Sequence, residues 1–133
     1  MTALTAPRNT PAMDGCRSVV RDVAPATTVY AGSLAAQTAA GLAVPAAATA
    51  TLTVLGRARH TVSTVTGDAT ELVIDRGVYR WANLGADPVT IADYGKPCYA
   101  ADDQTVARTN GSNTRPVAGT VRDVDGQGVW VET

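Results

Sequence analysis

From Ser18 onward the chain runs in short stretches where apolar and polar positions alternate, each closed by glycine, proline or an aspartate turn. "SVVRDVA" leads to Pro25, and "TTVYAGSLAA" is rich in β-branched residues and holds Tyr30. "TLTVLGR" puts Leu52 and Val54 on one face, "HTVSTV" continues in the same style, and "TGD" at 66–68 turns the chain. The alanine-rich stretch from Ala35 to Ala50 has a helical composition, but Gly41, Pro45 and its threonines break any run of useful length. "ELVIDRGVYRWAN" has the strongest central-strand pattern. Leu72 and Ile74 share one parity and Tyr79 and Trp81 the other. Gly77 therefore predicts a bulge that shifts the register and turns all four inward.

"VTIADYGKP" predicts a single helical turn, ended by Gly95 and Pro97. Two hairpins follow. One pairs "PCYAA" with "TVART" across Asp102–Gln104, and the other pairs "PVAGTVRDV" with "GVWVET" across "DGQG". Asp125-Gly126 is a strong hairpin dipeptide. Strand-length runs at regular intervals predict an all-β fold, a compact β-sandwich or β-barrel-like domain over residues 18–133. Residues 1–17 carry Pro7, Asn9, Pro11 and Gly15 and show no apolar period. They predict an extended N-terminal arm, either disordered or ordered only against another subunit.

Composition sharpens this outline. Hydrophobic residues make up 45% of the 133, but many are alanine, there is no Phe, and aromatics reach only 5%. A core of alanine and valine is thin, because each buried methyl group contributes little. The expectation is a marginal monomer that gains stability from neighbours. The 11 basic and 12 acidic residues are spread along the chain, with no basic block to neutralise phosphates, so no nucleic-acid partner is expected. The most apolar stretch, "LAAQTAAGLAVPAAATATLTVLG", is too interrupted to span a bilayer. The first 20 residues lack the apolar core of a secretory signal, and "MDGC" lacks the apolar run that precedes a lipoprotein cleavage site. The reading is a soluble product of a cytoplasm, with no membrane partner. Cys16 and Cys98 are then two free thiols by default. No metal site is expected around a single His60.

Candidate chemistry centres on "KPCYAADDQTVART", where Asp102 and Asp103 stand near Cys98 and Tyr99. Two adjacent carboxylates could serve acid–base chemistry or a metal, but that requires a cleft and shifted pKa values. Midway between two alternating runs they fit a hairpin tip better, where aspartate bonds nearby backbone. His60 reads as an ordinary strand or surface histidine, and Cys98, alternating with Ala100, as a small buried residue. "NGS" at 110–112 is a turn, and no phosphate loop, dinucleotide fingerprint, nucleophile elbow or zincin helix is present. The expectation is no catalytic, cofactor-binding or metal-binding residue, and no enzyme. Trp130, between Val129 and Val131, is either core or interface.

The C-terminal half resembles the small capsid cement, or decoration, proteins of tailed bacteriophages. The likeness lies in Thr90, Ala92, Asp93, Gly95, Tyr99, Ala100, Asp102, Asp103, Thr105 and Val106, and then in Ala118, Gly119, Val121, Val124, Asp125, Gly128, Val129, Trp130 and Val131. Upstream, "VYAGSLAA" and "GLAVPAA" fit the same outline, with Leu42 where an aromatic is common, as does "RGVYRWAN". The likeness covers about residues 26 to 133. It implies a structural virion protein on the capsid exterior that stabilises the expanded head. The implied partners are the major capsid protein and copies of itself, a homotrimer being favoured and a dimer plausible. The alternatives are a non-enzymatic β-sandwich binding module, for a host glycan or a head-fibre base, and a small hydrolase using Asp102, Asp103 and His60. The glycan reading needs Trp81, Tyr79 and Tyr94 clustered on one exposed face, whereas they are expected to be mostly buried.

Overall fold

The computed structural model describes residues 5–9, 17–67 and 69–133. Most of the expected arm, with Cys16, falls on residues 1–4 and 10–16, which lie outside the described residues, as does Asp68 of the "TGD" turn.

The fold is all-β, as the alternating runs predict. Five strands form an antiparallel sheet: β1 (Ser18–Asp22), β3 (Leu34–Gln37), β4 (Ala43–Pro45), β5 (Thr53–Ala58) and β7 (Glu71–Asp75). Their order is β1-β7-β5-β3-β4. Two short strands, β2 (Thr28–Val29) and β6 (Val62–Ser63), pair with each other. The remaining strands close a barrel. They are β8 (Val78–Asn83), β9 (Pro97–Ala100), β10 (Thr105–Ala107), β11 (Val117–Asp125) and β12 (Gly128–Glu132), in the order β10-β8-β12-β11-β9. Both predicted hairpins form: β9 pairs with β10, and β11 with β12 across Gly126-Gln127. Closure comes from β10 lying parallel to β8, with Thr105 opposite Ala82. A parallel pair needs a crossover, and residues 84–104 supply it through β9 and a 3-10 turn at Ile91–Asp93. The stretch from Ala35 to Ala50 forms strands and turns, not helix. No helix among the described residues is long and apolar enough to cross a membrane.

Two apolar clusters hold these layers together. The first fills the barrel with Trp81, Cys98, Ala100, Val106, Val121, Val129 and Val131, and Leu34 and Ala36 of β3 reach into it. The second joins the other face of the sheet to the short pair: Ala35, Leu72 and Ile74 pack with Val29 and Val62. The five-stranded sheet is thus the middle layer, and neighbouring residues of β3 face opposite cores.

The run "ELVIDRGVYRWAN" departs from its expected form. It is two strands, β7 in the sheet and β8 in the barrel, joined at Arg76-Gly77. Leu72 and Ile74 enter the second cluster, whereas Trp81 enters the first, with Tyr79 packed against it. The parity mismatch marks a change of sheet, not a bulge within one strand.

Candidate functional site

Val89 to Lys96 forms a braced surface feature outside the strands. Asn83, at the end of β8, clips this segment on: its Nδ2 donates to the Val89 carbonyl and its Oδ1 accepts the Val89 amide, both at 2.8 Å. The chain then makes the 3-10 turn. Asp93 is buried, and its Oδ2 accepts the Thr90 amide at 2.8 Å and the Thr90 hydroxyl at 3.2 Å. Its Oδ1 accepts from Arg108 Nε at 3.3 Å. On the far side the Gly95 amide donates to the Val121 carbonyl, and the Val121 amide to the Lys96 carbonyl, both at 2.9 Å. Every backbone end of the turn is therefore tied to β8 or β11. The result holds two large apolar side chains in solvent, Ile91 at 72% exposure and Tyr94 at 63%. Tyr94 was expected to be mostly buried. It points out because Asp93 takes the inward place in the turn.

The bond from the Thr90 amide is the main cause holding the Asp93 carboxyl below the usual carboxylate range, helped by the Thr90 hydroxyl and Arg108 and opposed by burial. A carboxyl whose folded pKa is lowered stabilises the fold above its ordinary range, and that contribution is lost as pH falls through the folded value. Asp75, bonded to Arg59, and Asp87, bonded to Thr109, shift the same way. Stability should therefore decline on acidification below about pH 4. Asp93→Asn should cost about 1–2 kcal/mol at neutral pH, the scale of a lost cap. It should also flatten the acid decline, as read by urea midpoints at pH 7 and pH 3.

The sequence candidates fall in separate places. Asp102 is exposed and its Oδ1 accepts the Gln104 amide at 2.9 Å, as a hairpin-turn aspartate does. Asp103 is half-buried, and its carbonyl accepts the Leu34 amide at 2.7 Å. This tip is not free, because it fastens the barrel to β3. His60 Nε2 accepts the Val73 amide at 3.3 Å, so the imidazole braces β7. No group of three or more His, Cys, Asp or Glu side chains that could hold a metal occurs among the described residues. Cys98 is a free thiol on the inner face of β9, and burial pushes its pKa up to about 12. A thiol held neutral in this way is a poor nucleophile at ordinary pH.

The aromatics also separate. Trp81 is core, at 5% exposure, with no partner for its Nε1 among the described residues. Tyr79 is half-buried, and the Arg57 guanidinium lies 4.3 Å from its ring centre. Trp130 sits half-buried on the outer face of the barrel. Its Nε1 donates to Asp125 Oδ2 at 3.0 Å, and Arg80 lies over the ring at 5.6 Å. Of the three aromatics a glycan platform would need, only Tyr94 stands exposed. Sequence reasoning passed over Ile91, although an isoleucine beside a helical-turn aspartate was the available signal.

The fold and site define an all-β chain with a sheet-and-barrel body and a rigid apolar outpost. No protein-family model matches it, and neither the curated proteins nor the solved structures contain a match.

Proposed function

We propose that this chain is a structural virion protein, a capsid cement or decoration protein of a tailed bacteriophage, which binds the outer surface of the head and stabilises its expanded form. One observation carries the reading. Thr90, Ala92, Asp93 and Gly95, part of the run that resembles that family, fold into a braced turn that projects the intervening Ile91 and Tyr94 into solvent. A fixed pair of apolar side chains costs little ordering entropy when a partner covers it. It suits a protein that works by burying surface across subunit junctions, not by chemistry. The partners are then the major capsid protein and copies of this chain, with a homotrimer favoured. Many copies on one head convert modest affinity per site into a large collective effect. The protein would be made in the bacterial cytoplasm and act on the capsid exterior.

The test mixes purified protein with expanded heads that lack it, images the particles, and follows DNA release on heating. Density at capsid junctions and a higher release temperature are expected. Ile91→Asp with Tyr94→Ala should keep the fold, since both side chains are exposed, and should weaken head binding at least tenfold, about 1.4 kcal/mol. Wild-type protein that leaves heads bare would sink the proposal. Selective capture of glycans in its place would favour the binding-module alternative.

A further inference from the structure

An open groove of about 910 Å³ runs between the five-stranded sheet and the barrel. Leu52 and Val54 line one side, Val117 and Ala118 of β11 the other, and Arg21, Arg76 and Arg115 stand along it. Among the described residues no aspartate or glutamate lines it, in a chain whose acids outnumber its bases by 12 to 11. The three arginines are not equivalent. Arg115 Nη1 is held by Asp87 Oδ2 at 2.9 Å, so its charge is largely offset. Arg21 Nε donates to the neutral Gln37 side chain at 2.8 Å. Arg76 is exposed and makes no ion pair among the described residues. Among the described residues the groove therefore keeps two positive charges without an ion-pair partner, beside an apolar floor.

Its wall is also an unfinished sheet. β5 pairs with β3 from Thr53 to Arg57, but it meets β7 only at Arg57 and Ala58. At Arg76-Gly77 the chain leaves for the barrel, so among the described residues Thr53, Val54 and Leu55 pair with no strand on the side away from β3, and β11 faces them across the groove. All three line the groove. An unpaired strand edge offers backbone donors and acceptors to an added strand, and neighbouring pockets sort its alternate side chains. The opposite rim carries Gly111, Ser112 and Asn113, three successive residues in the left-handed region with φ between 59° and 66°. Asn110 and Asn113 bond to each other through their side chains at 2.9 Å, which holds this rim in shape, and both line the groove.

We propose that the groove binds an extended peptide segment of a partner protein, in which carboxylates alternate with apolar side chains, added as a strand along Thr53–Leu55. The apolar floor and strand edge select a peptide over a phosphate backbone, and the arginines select acid over base. The inference does not depend on the capsid reading, since any partner that offers such a segment would fit.

The test selects peptides from a random ten-residue display library on the immobilised full-length protein, then measures the winners by fluorescence anisotropy. Enriched sequences should alternate Asp or Glu with apolar residues. They should bind about tenfold more weakly to R21E/R76E and lose affinity as salt rises. Circular dichroism checks the fold of that variant, and R76E alone is the second variant, since the exposed Arg76 side chain has no partner among the described residues. Enrichment of neutral or basic peptides, no enrichment, or equal binding to wild type and both variants would overturn the proposal. So would tighter binding of a single-stranded DNA oligonucleotide. Self-association in sedimentation that R76E abolishes would assign the groove to a second copy of this chain, and would also overturn it.

Discussion

Trp81→Ala should be the most damaging single truncation in the barrel, costing about 3–5 kcal/mol. For a domain of this size that lowers Tm by roughly 10–20 °C. Trp81 is the largest side chain in a cluster otherwise built mainly of Val and Ala, so no neighbour can move in to fill the space. It also carries a buried indole N–H that has no partner among the described residues. That donor already costs desolvation energy, so Trp81→Phe should lose much less than the alanine variant, because it removes the orphan along with part of the ring. Trp130→Ala provides the contrast. Its ring lies outside the barrel against Arg80 and Asp125, and its loss should shift Tm by less than half as much. Thermal melts of the three variants side by side decide the matter. Equal shifts for Trp81→Ala and Trp130→Ala would mean the register of β8 against β12 is wrong.

Gly119→Ala should be nearly as costly, at roughly 3 kcal/mol or more, through strain and not through a cavity. Gly119 sits in β11 where that strand pairs with both β9 and β12 and the register shifts. A Cβ there would stand 2.2 Å from the Glu132 carbonyl oxygen and 2.8 Å from Val131 Cγ1. The oxygen is backbone of a paired strand, so relief means prising β12 from β11. The φ of +158° adds strain for any other residue. Gly126, in the β11–β12 hairpin, has open space where a Cβ would go. Gly126→Ala should therefore leave the urea midpoint almost unchanged, and a Gly119→Ala midpoint equal to wild type would refute the close approach.

Local signals carried the elements well. Asp125-Gly126 and the run around Asp102–Gln104 each marked a hairpin that forms, because two-residue and short turns are decided by the residues within them. The Gly95 and Pro97 stop marked the 3-10 turn for the same reason. What local pattern could not carry is which sheet a strand joins. Leu72 and Ile74 against Tyr79 and Trp81 displayed the mismatch openly, yet a bulge and a change of sheet leave the same parity trace. Only the pairing of β8 with β12, fifty residues away in the chain, distinguishes them. Trp130 was undecidable for a related reason. Alternation said that it faces away from Val129 and Val131, but not which of those faces lies inside the barrel. The site was fainter still. The outward set of Ile91 and Tyr94 depends on Asn83 and Val121 anchoring the two ends of the turn, and the groove exists only where β7 departs from β5, neither of which the local run displays.

The two-faced burial of β3 has a consequence for how the molecule comes apart. Leu34 and Ala36 belong to the barrel core and Ala35 to the other, so one four-residue strand is shared property of both. The small side chains that looked like a weak core contribute here, since Ala35 and Ala36 are fully buried on opposite faces of that one strand. Neither half can melt while the other stays whole, because losing β3 removes a wall from each. Sheet and barrel should then unfold in a single cooperative step, with the β3 amides among the slowest to exchange with solvent.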